Sequence, residues 1–306
     1  MPTFYHKHPK ENSFVILHTP EKGSWIHVDN ATSEDLSQIS NLTKLHITDL
    51  LDSLDRYELP RVEVVQDTLL LFTRYPVEQE SHLHTMPITL ALTPDHFITI
   101  SPSSSSLVHT LLDNPSPSSS YNPSDLFVLV LLKISQEFNA QIRQKRNSVM
   151  GQAKEISSVD SEDISLLTKH EETLNQYLSC LELLHTSLSK TIHLNFPLLC
   201  KKCIRDLDDV ANAIKQSENL CGSLIKNIRS LRDSYQIIFA NNLTKTIKLL
   251  TALTIIFSIP NIVASIYGMN VRLPLGESHN AFFLLMLIMI AISTLCGYWF
   301  YHKKWM

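Results

Sequence analysis

Leu249–Tyr267 (LLTALTIIFSIPNIVASIY) runs nineteen residues without a charge, and Gly268-Met269-Asn270 follows directly. Ala281–Tyr301 (AFFLLMLIMIAISTLCGYWFY) is a second uncharged stretch, of twenty-one residues. Each is long enough, as a helix, to cross about 30 Å of hydrocarbon. Only Gly268–Asn280 separates them, a loop too short to be a domain. The two stretches therefore predict a membrane hairpin with both of its ends on one side. Lys245 and Lys248 precede the first span, Lys303 and Lys304 follow the second, and Arg272 is the one basic residue between. Positive charge gathers on the cytosolic side, so both termini are expected there, in a multi-pass protein of the inner or plasma membrane. Trp299, Tyr301 and Trp305 suit an inner aromatic belt, and Tyr267 an outer one.

The spans differ in kind. The second is mostly Leu, Ile, Met and Phe, as lipid contact requires. The first carries Thr251, Thr254, Ser258, Asn261 and Ser265, at steps of 3, 4, 3 and 4 residues. That spacing keeps all five polar side chains on one helical face. Thr244 and Gly268 extend the stripe at either end. Small polar residues also serve ordinary helix packing in membranes. An amide in hydrocarbon, however, needs a partner or water, and two spans are too few to enclose a water path. Several copies facing one axis would enclose it. Pro260 has no N–H for the carbonyl of Ile256, which frees an acceptor and permits a kink beside Asn261.

The 306 residues are 44% hydrophobic with a net charge of −4, and the mean hydropathy of +0.01 conceals the apolar C-terminal sixty. Glycines number six, and no GxGxxG or GxxxxGKS/T occurs, so the usual phosphate-cradling loops are absent. Mild acidity leaves no footprint for nucleic acid. No Ser-His-Asp pattern or metal triad supports an enzyme. Residues 1–20 hold no apolar core with a cleavage site, so the N-terminal part is expected to stay in the cytosol.

Residues 1 to about 100 read as α/β. Strands are expected at Phe14–Leu17, Trp25–Val28, Val62–Val65, Thr68–Thr73, Ile88–Leu92 and Phe97–Ile100, bounded by Pro60, Pro76, Pro87 and Pro94. A short helix should begin at Thr32 or Ser33. Ser101–Asp125 is rich in Ser and Pro around a short helix, Leu107–Leu112, and marks a boundary. The pattern then turns helical: Leu126–Gln152, capped by Ser124-Asp125, then Glu162–His193, then Pro197 to Tyr267. Seventy helical residues would be on the order of 100 Å long, too long for a globular helix. The acids between Glu155 and Glu172 read as a solvated face.

Cys180, Cys200, Cys203, Cys221 and Cys296 are odd in number and argue against a disulfide framework. Cys200-Lys201-Lys202-Cys203 is a CxxC, but zinc would need two further ligands and no second CxxC exists. Its simpler reading is two packing cysteines one helical turn apart. His6, His8, His82 and His84 form short HxH pairs without a third ligand and read as surface residues.

Gly268-Met269-Asn270, directly after the first of two C-terminal spans, resembles the signature of the CorA-type divalent-cation transporters. The preceding Ile266-Tyr267, Pro260 within the span and the Lys303-Lys304-Trp305 end agree. Upstream, Trp25-Ile26-His27-Val28-Asp29 resembles the family's early Trp-strand motif, and Leu59-Pro60-Arg61-Val62-Glu63 its PKxE-like segment. The resemblance covers nearly the whole chain. It implies a homopentamer with an α+β cytosolic funnel, a long helical stalk and a two-helix transmembrane hairpin. Residues 1–124 would be the cytosolic α/β domain and 125–248 the stalk. Residues 249–267 and 281–301 would be the spans, 268–280 the outer loop and 302–306 a basic cytosolic tail.

The resemblance also implies roles. Gly268 and Met269 would shape a tight turn presenting Asn270, whose amides would hold hydrated Mg2+ at the outer mouth. Mg2+ sheds water reluctantly and prefers hard oxygen ligands, which suits a ring of carbonyl oxygens. Thr244, Thr251, Thr254, Ser258, Asn261 and Ser265 would line the conduit, with Leu250 and Ile247 as the inner apolar constriction. Asp233 falls where the family has an acidic ring, and Asp209 matches an interface carboxylate that senses cytosolic Mg2+. Many members carry an acid beside the outer-loop proline. This chain has Arg272-Leu273-Pro274-Leu275-Gly276-Glu277 instead, so Glu277 or its neighbours are the candidate ion attractors. The implied function is a channel-like Mg2+ transporter, driven by membrane potential and closed by cytosolic Mg2+. Mg2+ would be both cargo and regulator, with no organic cofactor. Zn2+, Co2+ or Ni2+ transport on the same scaffold is the alternative, although the stripe has no thiol or imidazole to favour a softer ion. A membrane-anchored sensor or scaffold without transport is a third reading.

Overall fold

A computed structural model describes residues 1–6, 14–43, 45–80, 83–113, 122–151, 159–269 and 280–305. Seven strands lead: β1 (Thr3–His6), β2 (Val15–Leu17), β3 (Trp25–Val28), β4 (Arg61–Val65), β5 (Thr68–Glu80), β6 (Leu83–Leu92) and β7 (Phe97–Ile100). Between β3 and β4 lie α1 (Ser33–Thr43), α2 (Ile47–Leu50) and a 3-10 turn, Leu51–Leu54. After β7 the described structure is helical: α3 (Ser106–Asp113), α4 (Pro123–Gly151), α5 (Ser161–His193), α6 (Lys201–Tyr267) and α7 (Ala281–His302). The chain divides into two compact units, 1–153 with 166–230, and 154–165 with 231–306.

The strands form one mixed sheet in the order β2-β1-β3-β7-β6-β5-β4, in which β3 and β7 run parallel and every other pair antiparallel. Helices cover both faces. Leu36 and Ile39 of α1 and Leu50 of α2 pack with Ile26, Val28, Leu70, Phe72, Ala91, Ile98 and Ile100 on one side. On the other, α4 lies over β5, β6 and β7, and Phe127 meets Phe97 edge-on, with ring centroids 6.3 Å apart. Cover on both faces explains why β3, β7 and most of β6 are buried along their length rather than at alternate residues.

Three local expectations need correction. Pro76 and Pro87 were expected to bound strands but lie inside β5 and β6, in register with Thr85 and Arg74. At those positions β5 has passed the end of β4, and β6 the end of β7. Each proline therefore sits where its strand has one neighbour, and its missing N–H can face the open side. Second, α4 starts at Pro123, not at Leu126. Asn122 offers its carbonyl to the N–H groups of Asp125 and Leu126, while the Ser124 hydroxyl donates to the Leu198 carbonyl. Third, α6 starts at Lys201, because Asn195, at φ 46°, turns the chain out of α5 and Pro197 lies in the turn that follows. Strand β1 carries too weak a pattern to be foreseen.

The core also holds a charge. Arg74 is 4% exposed. Its guanidinium donates to the carbonyls of Arg56, Glu58 and Thr85, at 2.7–2.9 Å, and to the Thr85 hydroxyl. Among its described neighbours it ties β5 and β6 to the loop before β4.

Candidate functional site: the α6 face and its acidic groups

Two helices, α6 and α7, are long and apolar enough to cross a membrane. Their apolar stretches stand largely exposed. On α6, Ala252, Ile256, Ile259, Val263 and Tyr267 lose exposure, at steps of 4, 3, 4 and 4. On α7 the corresponding residues are Leu285, Met289, Ser293, Cys296, Gly297 and Phe300. Gly297 lies against Ile256, where a Cβ would sit 3.8 Å from the Ile256 side chain. These are the facing surfaces of the hairpin.

The polar stripe is elsewhere. At about 100° per residue, Thr244, Ile247, Leu250, Thr251, Thr254, Ser258, Asn261 and Ser265 fall within an arc of about 120°. The centre of that arc points roughly opposite to the α7-facing residues. All eight are exposed except the half-buried Ser258. The hydroxyls of Thr244, Thr251, Thr254 and Ser258 each donate to the carbonyl four residues earlier, at 2.7–2.8 Å. Leu250 and Ile247, both more than half exposed, continue the same face towards Lys245 and Lys248.

The helix ends where the motif begins. Gly268 donates to the Ala264 carbonyl at 2.9 Å and Met269 to that of Ile266 at 3.2 Å, so the last turn tightens. A Cβ on Gly268 would lie 3.3 Å from the Ala264 oxygen, closer than ordinary contact. The glycine thus answers a close approach; its φ is not in the left-handed region. Met269 is 56% exposed. Asn270, Arg272, Pro274 and Glu277 lie outside the described residues.

Asp209 and Asp233 are not brought together. Both are exposed on α6. Asp209 points away from Leu207, Val210 and Ile214, which α6 buries. Asp233 has Arg232 3.8 Å away. Among the described residues no three His, Cys, Asp or Glu side chains converge as a metal site. The acidic run is not purely a solvated face either. Glu171 is buried and ion-paired with Arg229, and Asp160 caps α5 by accepting from the N–H groups of Glu162 and Asp163. Glu155 lies outside the described residues, as do His8 and His82. His84 is half-buried against α5, its Nε2 3.1 Å from the Thr173 hydroxyl, and so is not a free surface residue.

The two upstream motifs are structural. Trp25 donates to the Thr99 hydroxyl, which also meets His27 Nδ1 at 2.8 Å, binding β3 to β7. Asp29 then takes hydrogen bonds from the Ser105 N–H and the Ser104 hydroxyl, with His27 Nε2 at 3.2 Å and His109 Nε2 at 3.0 Å. Burial pushes the Asp29 carboxyl up, but hydrogen bonds from His27, Ser105 and His109 outweigh it and hold the group well below the usual carboxylate range. Arg61 pairs with Asp52, Glu58 and Glu63 and lies over the Phe72 ring.

Residues 20–304 match the family described as CorA-like Mg2+ transporter protein. The chain is 22% identical, over 288 residues, to the cobalt/magnesium transport protein CorA of Methanocaldococcus jannaschii, covering 92% of this chain and 90% of that one. The complete structure of the CorA magnesium transporter from the same organism superposes with a TM-score of 0.78 at 20% identity, covering 100% of this chain and 99% of that one. The structure of the full-length CmaX protein gives a TM-score of 0.70 at 15% identity, covering 99% and 96%. At these identities the structural likeness concerns the fold: an N-terminal α/β domain, a long helix and a C-terminal apolar helix.

Proposed function

The chain belongs to the family of CorA-like Mg2+ transporter proteins, which are transporters and not enzymes, and from that premise we propose that it passes Mg2+ through a membrane down its electrochemical gradient. The observation that carries this reading is the polar arc of α6, exposed and turned away from α7. One copy leaves that arc facing lipid. Copies arranged about an axis, a homopentamer in our proposal, turn it into a water-filled conduit. Asn270 then forms the outer ring, Thr254, Ser258 and Asn261 the wall, and Leu250 with Ile247 a constriction that gates by dewetting. Both termini lie in the cytosol. An inside-negative potential favours entry of a divalent ion by about 4.6 kcal/mol per 100 mV, so no nucleotide is needed.

Asp209 is the proposed sensor. Mg2+ bridging carboxylates across a subunit boundary stabilises the closed arrangement, and at low Mg2+ the carboxylates repel and the pore opens. Cobalt is a second cargo, favoured by the name of the archaeal relative. The test is uptake into proteoliposomes with a panel of divalent cations under an imposed potential. Selective Mg2+ entry, with or without Co2+, is expected; no divalent entry would overturn the reading. Native mass spectrometry in detergent should find a pentamer, and a stable monomer or dimer would remove the conduit.

A further inference from the structure

Cys200 and Cys203 open α6, and transport makes no use of them. Cys200 immediately precedes the helix, with its carbonyl accepting from the Ile204 N–H and its Sγ accepting from the Cys203 N–H at 3.1 Å. It is therefore a helix cap, with sulfur where a serine or threonine oxygen is usual. Cys200 is exposed, whereas Cys203 is 1% exposed. The expectation of two packing cysteines thus holds for Cys203 and fails for Cys200. Their sulfurs are 2.7 Å apart. Behind Cys203, in the first turn of α4, stands Asp125, with Oδ1 3.7 Å from the Cys203 sulfur.

These surroundings drive the two thiols apart. The hydrogen bond from Cys203, helped by backbone N–H groups, holds the Cys200 thiol below its ordinary value, whereas burial pushes that of Cys203 up to about 12. An exposed sulfur that ionises readily, beside a buried protonated one with a carboxylate behind it, lets one sulfur attack and the other resolve.

We propose that Cys200 and Cys203 are a redox-active dithiol, closing reversibly to an intramolecular disulfide by exchange with a low-molecular-weight disulfide of the glutathione class. The Cys200 thiolate attacks one sulfur of the small disulfide, breaks its S–S bond and releases one small thiolate. Cys203 gives up its proton by way of the Asp125 carboxylate and attacks the Cys200 sulfur. The mixed disulfide breaks and the second small thiolate leaves. Two protein thiols have lost two electrons, one small disulfide has gained them, and the two protons end on the released thiolates. Closure leaves the Cys203 sulfur with no hydrogen to share between Cys200 and Asp125, and so loosens the tie between the starts of α4 and α6.

The experiment uses the full-length protein in detergent, equilibrated with oxidised and reduced glutathione, quenched by alkylation and mapped by peptide mass spectrometry. A Cys200–Cys203 disulfide should appear as the oxidised fraction rises. Cys200 should alkylate at least about tenfold faster than Cys203 near neutral pH. Cys203→Ser should trap glutathione on Cys200, and Cys200→Ser should leave Cys203 unmodified. Asp125→Asn should leave Cys200 alkylating at least as fast while the mixed disulfide accumulates, because the closing step loses its proton acceptor. Two free thiols at every glutathione ratio would overturn the proposal. So would Cys203 reacting in Cys200→Ser as fast as Cys200 does in Cys203→Ser, with circular dichroism confirming that both variants are folded.

Discussion

Leu70, Phe72, Leu90 and Ile98, in the sheet, are 0–1% exposed, whereas Phe282, Phe283, Leu287 and Leu295, in α7, are 66–72% exposed. The side chains are equally apolar; their surroundings differ. In the first unit the chain covers its own apolar surface, and it meets a buried charge such as Arg74 with its own carbonyls. In the second, α6 and α7 leave their apolar surface and the polar arc exposed. In the proposed conduit, lipid would cover the first and other copies the second.

Substitutions in each region should then fail in different ways. The largest effect is expected at Asn270. In the proposed oligomer a ring of amides, each contributing about 0.5–1.5 kcal/mol of hydrogen bonding, would amount to several kcal/mol around the ion. Asn270→Ala should therefore cut Mg2+ flux by about a hundredfold or more in proteoliposomes while assembly persists. Full flux would make the outer turn as dispensable as any loop. In the first unit, Arg74→Met leaves one buried carbonyl, that of Thr85, and two part-buried ones, of Arg56 and Glu58, without this donor. It should destabilise by about 2–4 kcal/mol, seen as an earlier unfolding transition, with flux per correctly folded oligomer unchanged.

Asp209→Ala tests whether the first unit nevertheless speaks to the second. Removing the proposed bridge should raise the Mg2+ concentration for half-closure by at least about fivefold, measured by protease protection beside flux. An unchanged midpoint would move sensing to Asp206 or Asp208. The smallest effect concerns Asp29. Its carboxyl is depressed in the folded state, so its contribution is complete above the unfolded value near 4 and drains away as pH falls below it. Asp29→Asn should cost about 1–2 kcal/mol at neutral pH, and wild type and variant should converge in denaturant titrations as pH falls from about 4 towards 2. A constant difference across that range would show that the carboxylate charge does not matter there.

Where physical chemistry is local, the sequence was readable. Uncharged length announced both spans, and period-4/3 spacing announced the polar arc. β-Branched runs announced β3 and β7 to the residue. Interactions between distant segments were hidden. Nothing near Arg74 advertises three carbonyl partners, and Pro76 and Pro87 look like strand breakers until the neighbouring strands are seen to have ended. Pro197 suits a first helical turn by its sequence, yet it lies in the turn after Asn195, and α6 begins only at Lys201. Asp209 and Asp233 are a different case: both stand exposed on α6, and exposure alone assigns a carboxylate no role.

The hydroxyls of Thr251, Thr254 and Ser258 have one further consequence. Each has already spent its hydrogen on its own helix, four residues back. What remains on the outward side of each oxygen is lone pairs. A cation's water shell turns its hydrogens outward and would find acceptors along such a wall. The shell of an anion complements it less well, because each of its waters has already turned one of its two hydrogens to the ion. A lining of neutral hydroxyls can thus discriminate by sign of charge without carrying any charge itself, through the direction in which each hydroxyl hydrogen points.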